Sequence, residues 1–505
     1  MSKGDMRISC FVMLVCLFPL GSRSAPPDKA LAPRIVYGTY LGGSDKDGAA
    51  AIAVDSFGNA YVVGHTPSPD FPITAGAFST KTRVNNDDWT GFVGKINQRG
   101  EHLLYSSFIG GNFRSSANAI AVDSTGRAFV VGSTCSSDFP TTRSAVLQTA
   151  PGSNKVDACD GFVAWLNAAG SQLEYGTYLG GTREDAATAV ALAPGGGVIY
   201  VGGYTFSRDF PITGTAAQPK LNGLSNGFLS AIDVRSGQLL YSTYIGGTGN
   251  DAVRGIAVDP DGTVYVSGNT DSASWPNLRL SRVGALGATD GFVIRFDPTG
   301  KTKPCGVRIG GSGTEDLSGI SIDRDGDIYI VGTTNSRNFP VKGASLRQLG
   351  GGFIVKISAR QFAAQHAEVV WARRVGGHGD DALLSISAGM PRSIFVVGQS
   401  ASEDFPTTSG AIYGRLEAST EPTLIRLGAS DGRIQFATFV GGRHKPASWY
   451  NDYANGVFAD ANGDVYVAGG TLDDRLPVSP GAVQPRPKVV GQSEPFVFRM
   501  KFPVF

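Results

Sequence analysis

Short apolar runs with a period of two recur along the whole chain. In one copy these runs are residues 239–247, 255–259, 264–268 and 291–297, each rich in β-branched and aromatic residues and bounded by Gly, Asp or Pro. Such alternation over a few residues predicts β-strands. The Asp-x-x-Gly segment at 259–262 has the residues of a tight hairpin turn, so neighbouring strands are predicted to be antiparallel.

A Gly-Gly pair marks every copy of this pattern. Successive pairs are 64 to 70 residues apart. The seven pairs begin at Gly42, Gly110, Gly180, Gly246, Gly310, Gly376 and Gly441. Self-similarity at a nearly fixed period indicates a repeat architecture. Seven units of four strands predict an all-β protein built from seven small sheets.

The two ends of the repeat region complement each other. Residues 34–43 form a fourth-type strand before any first-type strand has occurred, whereas the last unit, which ends at residues 495–502, holds only three strands. Pairing these ends would close the sheets into a ring and remove the exposed edges of an open array. We therefore expect a closed seven-bladed β-propeller over residues 34–505, with four antiparallel strands per blade and a short linker at 25–33.

The first 24 residues have the features of a signal peptide. Lys3 and Arg7 precede a run of 13 residues at 8–20 that carries no charge and is mostly apolar, and small residues surround Arg23 up to Ser24. We expect cleavage near Ser24 and a secreted, periplasmic or cell-surface protein. The run is too short to cross a bilayer, and no later apolar run reaches about 20 residues, so no membrane span is predicted.

The charge balance argues against two classes of partner. Residues 1–24 hold three of the 44 basic residues and one of the 43 acidic residues, which leaves 41 against 42 and a formal net charge of −1. This balance argues against electrostatic binding to nucleic acid or to an anionic membrane. We expect a monomer whose ligand is a protein or a glycan.

Three cysteines remain after the predicted cleavage site. Cys135 ends a second strand and Cys159 begins the third strand of the same unit, so both lie at the base of one loop. An exported protein meets an oxidising compartment, and we expect these two residues to form a disulfide. Cys305 stands where other units have a core aromatic residue and is predicted to be a buried thiol.

Three recurring strings carry a resemblance to a known family. They follow the patterns Y-S-T-Y-I-G-G-x-x-x-D, I-A-V-D-x-x-G-x-x-Y-V-x-G and T-x-S-x-D-F-P, and they recur through residues 34–502. The chain resembles the bacterial SBBP family, named for its β-propeller repeat. The resemblance implies an exported bacterial propeller, often met at the cell surface or in multidomain proteins, and it implies no shared catalytic residues.

An acidic column lies four residues after the Gly-Gly pairs. Its members are Asp47, Asp185, Asp251, Glu315, Asp381 and, after an insertion, Asp452, with Ser115 as the one non-acidic member. On one interpretation the carboxylates form a ring at one mouth of the channel, attracting a basic group or a cation such as calcium. On the other, each carboxylate accepts backbone N–H bonds within its own loop.

An insertion in the last unit, residues 443–453, has no counterpart in the other copies. It brings His444, Lys445, Trp449, Tyr450 and Tyr453 to the same predicted mouth. Exposed aromatic residues beside polar groups suit glycan stacking or protein contact. The alternative is a loop that folds its aromatic residues onto the rim. We select this insertion as the preferred binding site.

Other motifs favour structural roles. The S-x-D-F-P string combines a turn-forming Asp, a rigid Pro and an aromatic wedge, and DPDGT at 259–263 lacks the length and final Glu of an EF-hand loop. His378 beside two aspartates is a single metal-ligating imidazole in a Gly-rich turn. No H-E-x-x-H, G-x-S-x-G or Walker pattern occurs, so no catalytic or metal-binding residue is assigned.

Three functions remain open at this point. The first is an exported, non-catalytic binding or scaffold propeller that recognises a protein or glycan at the mouth bearing the acidic column and the insertion. The second is an exported hydrolase or lyase that uses the rim carboxylates with a divalent cation. The third is a structural component of an envelope or matrix.

Overall fold

A computed structural model describes residues 32–504 except 83, 85–87, 152–157, 279, 298–302, 344–350, 363–367 and 442–451. The predicted signal peptide and most of the predicted linker lie outside the described residues. The described strands form seven sheets, one for each predicted repeat.

Each sheet is one blade, and its strands are antiparallel neighbours with one exception in blade 4. Blade 1 contains β2 (Gly48–Val54), β3 (Ala60–Thr66), β4 (Thr90–Ile96) and β5 (Leu103–Ile109). Blade 2 contains β6 (Ser115–Val122), β7 (Ala128–Thr134), β8 (Asp160–Leu166) and β9 (Leu173–Leu179). Blade 3 contains β10 (Asp185–Leu192), β11 (Val198–Thr205), β12 (Asn226–Asp233) and β13 (Leu239–Ile245). Blade 4 contains β14 (Asp251–Val258), β15 (Val264–Thr270), β16 (Leu280–Gly284), β17 (Asp290–Phe296) and β18 (Cys305–Gly310). Blade 5 contains β19 (Glu315–Ile322), β20 (Ile328–Thr334), β21 (Gly352–Ile357) and β22 (Val369–Val375). Blade 6 contains β23 (Asp381–Ser387), β24 (Ser393–Ser400), β25 (Glu421–Gly428) and β26 (Ile434–Phe439). Blade 7 contains β27 (Tyr453–Ala459), β28 (Asp464–Thr471), β29 (Glu494–Lys501) and β1 (Arg34–Tyr40). One short helix, α1 (Ala359–Phe362), follows β21.

The first strand of the chain completes the last blade. β1 pairs antiparallel with β29, from Arg34 opposite Lys501 to Tyr40 opposite Phe496. The innermost strands contact one another in order around the ring, and β27 of blade 7 contacts β2 of blade 1. The predicted closed, seven-bladed propeller is therefore confirmed.

The chain direction gives the propeller two different faces. Inner strands begin on the face that holds the Gly-Gly connections between blades and the loops between second and third strands, which we call the connection face. They end on the opposite face, which holds the tight turns between first and second strands and between third and fourth strands. We call this the hairpin face. In these turns Gly58 and Gly262 have φ angles of 81° and 88°, which favour glycine.

Blade 4 has a fifth strand that the sequence pattern did not predict. β16 runs parallel to β18, from Leu280 opposite Gly306 to Gly284 opposite Gly310. Its five residues are half-buried or exposed and include Arg282, so they lack a clear alternation of apolar and polar positions. The loop before β17 thus covers the outer edge of β18, whose backbone groups would otherwise be unpaired.

The aromatic residue of each S-x-D-F-P string packs inside its blade. Phe71 lies 4.4 Å from the ring of Phe92 on β4, and Phe210 lies 4.4 Å from Phe228 on β12. Both wedge residues are 3% exposed. These contacts support the structural interpretation of the motif and explain why it repeats.

Candidate functional site

The acidic column lies at the start of the inner strands on the connection face. Its six carboxylate side chains are buried, with residue exposures between 0% and 4%. Ser115, the non-acidic member, is also buried and shares a 2.9 Å hydrogen bond with Thr134. The column therefore forms a buried layer beneath the channel mouth.

Blade 3 shows how one of these carboxylates is held. Asp185 Oδ2 accepts hydrogen bonds from the backbone N–H of Gly181 at 2.7 Å and from the Ser207 hydroxyl at 2.8 Å. Ser207 Oγ also accepts the N–H of Arg183, and Asp209 Oδ1 accepts the N–H of Thr182. We call this set of bonds, which ties the Gly-Gly connection to the following blade, the latch.

The latch recurs around the ring. The second glycine of the pair donates its N–H to the acidic residue at 2.5 to 2.8 Å in five blades, where the acceptors are Asp47, Asp185, Asp251, Glu315 and Asp381. Asp452 differs, because it accepts hydrogen bonds from the N–H of Leu472 and the hydroxyl of Thr471. This geometry favours the local hydrogen-bonding role. Calcium or a basic ligand at the column stays a prediction.

Burial changes the acidity of the column. Desolvation raises the pKa of Asp47 and Asp185 to about 6, and it raises the pKa of Asp452 to about 7. Hydrogen bonds from neighbouring threonine, serine and backbone groups act in the opposite direction but are outweighed. The described residues contain no group of three or more His, Cys, Asp or Glu side chains arranged to hold a metal ion.

The preferred insertion is only partly described. His444, Lys445, Trp449 and Tyr450 lie outside the described residues, so their predicted contact with a ligand stays a prediction. Tyr453 is half-buried at the start of β27, and its hydroxyl lies with the ring of His65 where a Cβ on Gly48 would be placed. Burial raises the pKa of Tyr453 and lowers that of His65. Both side chains therefore stay neutral at pH 7.

The last three residues of each second strand form a tripeptide whose first and third positions are nearly constant and whose middle position varies. Its first residue is glycine in every blade, and a Cβ at this position would collide with a carbonyl oxygen of the inner strand. Its third residue is Thr or Ser, exposed by 2% or less. The middle residue differs in every blade, and we call these seven residues the mouth ring: His65, Ser133, Tyr204, Asn269, Thr333, Gln399 and Gly470.

Sequence reasoning missed the mouth ring. In the register of each blade, a mouth-ring residue lies opposite the residue that comes directly after the acidic-column position, as Tyr204 lies opposite Ala186 and Gln399 opposite Ala382. The ring therefore lies at the connection-face end of the blades. A comparison of these Gly-x-Thr and Gly-x-Ser tripeptides would have found it, because constant flanks around a changing residue indicate a position that the repeat does not fix.

Exposed apolar residues also concentrate in the loops that begin and end on the connection face. Among the described residues, six of the large hydrophobic side chains that are exposed lie in loops between second and third strands: Trp89, Leu224, Leu286, Val341, Val489 and Val490. The hairpin face has Phe57 and Val504, and fourth strands carry Leu104, Leu240 and Val370. The loops that vary between copies therefore hold six of the eleven exposed large hydrophobic side chains among the described residues.

A second feature that sequence reasoning missed lies on the hairpin face. A cavity of about 520 Å³ between blades 5 and 6 is lined by Asp323, Lys356 and Arg392. Blade 6 replaces the Asp-x-x-Gly turn with Ala388–Ser393, and Arg392 has a φ angle of 59°. Lys356 lies 2.8 Å from Asp327 and is thus already paired.

The cysteines and His378 occupy ordinary structural environments. Cys135 and Cys159 form the predicted disulfide, with their Cα atoms 4.1 Å apart. Cys305 is half-buried against α1, and burial raises its thiol pKa. His378 is exposed, and its Nδ1 lies 2.5 Å from a carboxylate oxygen of Asp404, the S-x-D-F-P aspartate of the same blade.

Comparisons with known proteins agree with the fold. Residues 36–72, 240–274 and 307–340 match the SBBP family model, described as a beta-propeller repeat. The regulatory protein FlaEY of Caulobacter vibrioides is 26% identical over 305 residues, a match that covers 57% of this chain and 30% of the relative. The chain therefore aligns with less than a third of that relative's length.

Two solved structures are also similar in outline. They are hydrazine synthase of Kuenenia stuttgartiensis, with a TM-score of 0.45 and 11% identity, and the Pan2 WD40 domain of Neurospora crassa, with a TM-score of 0.44 and 8% identity. The matches cover 84% and 94% of this chain and 93% and 97% of those chains. No described helix is long and apolar enough to cross a membrane. The chain is a seven-bladed β-propeller, and three of its segments match the SBBP beta-propeller repeat.

Proposed function

We propose that this chain is an exported, non-catalytic binding propeller that recognises a protein or glycan ligand through its connection face. One observation carries the proposal: six exposed apolar side chains, distributed over five blades, lie in the variable loops between second and third strands. Leu224 is 60% exposed and Val490 is 64% exposed, and both lie in loops between second and third strands. Exposed apolar groups rimmed by polar residues are typical of interaction sites.

The residues of the mouth ring also favour the connection face as the binding surface. Its side chains include an imidazole, a phenol, two amides and two hydroxyls, which together donate and accept hydrogen bonds. Loops held on a rigid scaffold commonly carry binding residues. A partner that covered the mouth would therefore meet apolar loop residues at the rim and polar residues at the centre.

Export and regulation have indirect support. The disulfide between Cys135 and Cys159 is compatible with an extracytoplasmic protein, and the first 24 residues fit a signal peptide. The relative FlaEY is named a regulatory protein, and regulation through binding would accord with the proposed role. Hydrolysis by the acidic column would first require its buried carboxylates to leave the latch, which makes catalysis the weaker alternative.

Two leucines of blade 3 give a matched test of the binding face. Leu224 lies in a loop of the connection face, whereas Leu240 lies on β13 and is 52% exposed. We expect Leu224→Asp to lose partners or glycans retained by the wild-type protein, because it places a charge in the apolar rim. Leu240→Asp should retain them.

The assay is a pull-down from extracts of the producing cells combined with a glycan array, on purified full-length variants. Circular dichroism verifies that both variants are folded. An unchanged profile for Leu224→Asp, or the same loss for Leu240→Asp, would contradict the proposed face.

A further inference from the structure

A pocket of about 380 Å³ lies on the connection face between blades 3 and 4. Its lining includes two mouth-ring residues, Tyr204 and Asn269, and the inner-strand residue Arg254. This volume lies within the range of about 300 to 1,000 Å³ that is usual for small-molecule sites. We call it the blade 3–4 pocket.

An aromatic wall forms one side of this pocket. The rings of Tyr204 and Phe206 are 6.1 Å apart and perpendicular, and both residues are half-buried. The Tyr204 hydroxyl donates a 3.0 Å hydrogen bond to Glu184 Oε1, which fixes the orientation of the ring. Burial raises the pKa of Tyr204 to about 12, so the ring stays neutral at pH 7.

The opposite side provides both donors and acceptors. Arg254 is exposed on β14 and has no ion-pair partner among the described residues. Asp271 accepts the backbone N–H of Asn250 at 2.5 Å and its side-chain amide at 2.9 Å. Carboxylates can accept more than one hydrogen bond, so Glu184 and Asp271 keep acceptor capacity. Arg254 supplies N–H donors for which no acceptor is found among the residues that the structure describes.

Charges of both signs line this pocket: the carboxylates of Glu184, Asp271 and the buried Asp251, and the guanidinium of Arg254. A cationic ligand would meet the guanidinium of Arg254, and an anionic ligand would meet the carboxylates of Glu184 and Asp271. An uncharged ligand with many hydroxyls uses both kinds of group, because each hydroxyl donates and accepts. A flat apolar face on such a ligand would pack against Tyr204 and Phe206.

We infer that the blade 3–4 pocket binds one uncharged pyranose unit of a glycan. A pyranose combines a ring face of C–H groups with hydroxyls around its edge, which matches the aromatic wall and the polar wall. The inference rests on the proposed function and names the ligand class for part of the same face.

The repeat makes this pocket distinct from the equivalent places in other blades. The position of Tyr204 is Ser133 in blade 2, and the position of Arg254 is Ala50 in blade 1 and Leu384 in blade 6. The aromatic wall and the guanidinium therefore coincide only between blades 3 and 4 in the described part of the ring. We expect one such site per chain.

Calorimetry and ligand-observed NMR test the inference with a panel of simple sugars. The panel contains the methyl glycosides of glucose, galactose and mannose, with glucuronate and glucosamine as charged counterparts. At pH 7 we expect at least one uncharged glycoside to bind more tightly than either charged sugar. Arg254→Gln and Tyr204→Ala should each weaken this binding at least tenfold.

Arg208→Gln is the matched control, because Arg208 is an exposed arginine of blade 3 outside the pocket. It should bind the glycoside as the wild type does. The inference is overturned if no uncharged glycoside binds, if a charged sugar binds as tightly, or if Arg254→Gln has no effect. Should sugar binding fail while Leu224→Asp still loses a protein partner, the inference falls and the proposed function stands.

Discussion

At the connection face, adjacent residues of the same strand differ in how strongly packing and burial constrain them. In blade 3, Gly203 is packed against the carbonyl oxygen of Ala186, and Thr205 is fully buried in the latch layer. Tyr204 between them is half-buried and differs from its counterpart in every other blade. The fold thus fixes two of three consecutive residues and leaves the middle one free to differ between blades.

This contrast indicates where a repeat protein can acquire a site. The constant residues contact backbone atoms, whose positions are the same in each blade, so the same side chain is required seven times. Five of the seven mouth-ring residues are half-buried, and each blade carries a different group at this position. Asn269 is the exception in its bonding, because it is buried and binds Asp316 and the backbone of Leu317 in blade 5. A site for one ligand needs such an asymmetric arrangement, since function resides in sites grafted onto a fold.

The largest effect is expected when a side chain is forced into the constant part. Gly203→Ala places a Cβ against the backbone of β10, and the strands must separate to admit it. We expect a loss of about 3 kcal/mol in the free energy of unfolding. Gly197→Ala is the control, because nothing lies within 4 Å of a Cβ there. Urea denaturation measures both variants, and equal stability of the two would refute the packing argument.

Removal of a latch carboxylate should cost almost as much. Asp185→Ala leaves the N–H of Gly181 and the hydroxyl of Ser207 without their acceptor, and unsatisfied buried polar groups of this kind cost about 2 to 3 kcal/mol together. The neighbouring Glu184→Ala alters an exposed side chain and should change the free energy of unfolding by less than about 0.5 kcal/mol. A loss in Glu184→Ala as large as that in Asp185→Ala would show that the latch is not the cause.

The latch also predicts a pH dependence. The pKa of Asp185 is raised from 3.8 to about 6, so the folded protein holds this proton to higher pH than the unfolded chain does. The contribution of Asp185 to stability therefore falls as pH rises from about 4 to about 6. Asp185→Asn cannot ionise, so its stability relative to the wild type should improve by about 1 to 2 kcal/mol over this interval. Denaturation at several pH values measures the difference, which would stay constant if the pKa were normal.

The smallest effect on the free energy of unfolding is expected for substitutions of two adjacent hydroxyl side chains in blade 2. Thr134 Oγ1 shares a hydrogen bond with Ser115 and accepts the N–H of Ser136, so Thr134→Val should cost about 1 kcal/mol. Ser133 belongs to the mouth ring, and Ser133→Ala should be neutral within about 0.5 kcal/mol. The two unfolding curves would coincide if the division between constant and variable residues had no energetic basis.

The sequence predicts the framework well because the framework repeats. Alternating runs define the strands, the incomplete last unit defines ring closure, and the position of Cys135 and Cys159 at the base of one loop defines the disulfide. β16 was missed because its pairing with β18 depends on a free sheet edge, which no local pattern records. The burial of Asp185 was one of two open interpretations, since a periodic carboxylate fits both a latch and a rim.

The candidate site was harder to predict for the opposite reason. Motif searches look for recurring strings, whereas Tyr204, Asn269 and Gln399 stand out only because they do not recur. The blade 3–4 pocket joins Tyr204 to Arg254, which are 50 residues apart in the chain. Their proximity follows from the packing of one blade against the next, and the chain pattern of a single repeat does not contain it.

The most direct test of the separation between fold and recognition replaces several mouth-ring residues at once. Serine is already present at this position in blade 2, so a His65→Ser, Tyr204→Ser and Gln399→Ser triple variant keeps a side chain that the ring accepts. Unfolding by urea and the glycan-array and pull-down profile are measured on the same sample. We predict an unfolding midpoint close to that of the wild type and a lost or altered ligand profile. An unfolded variant, or an unchanged ligand profile, would contradict the account.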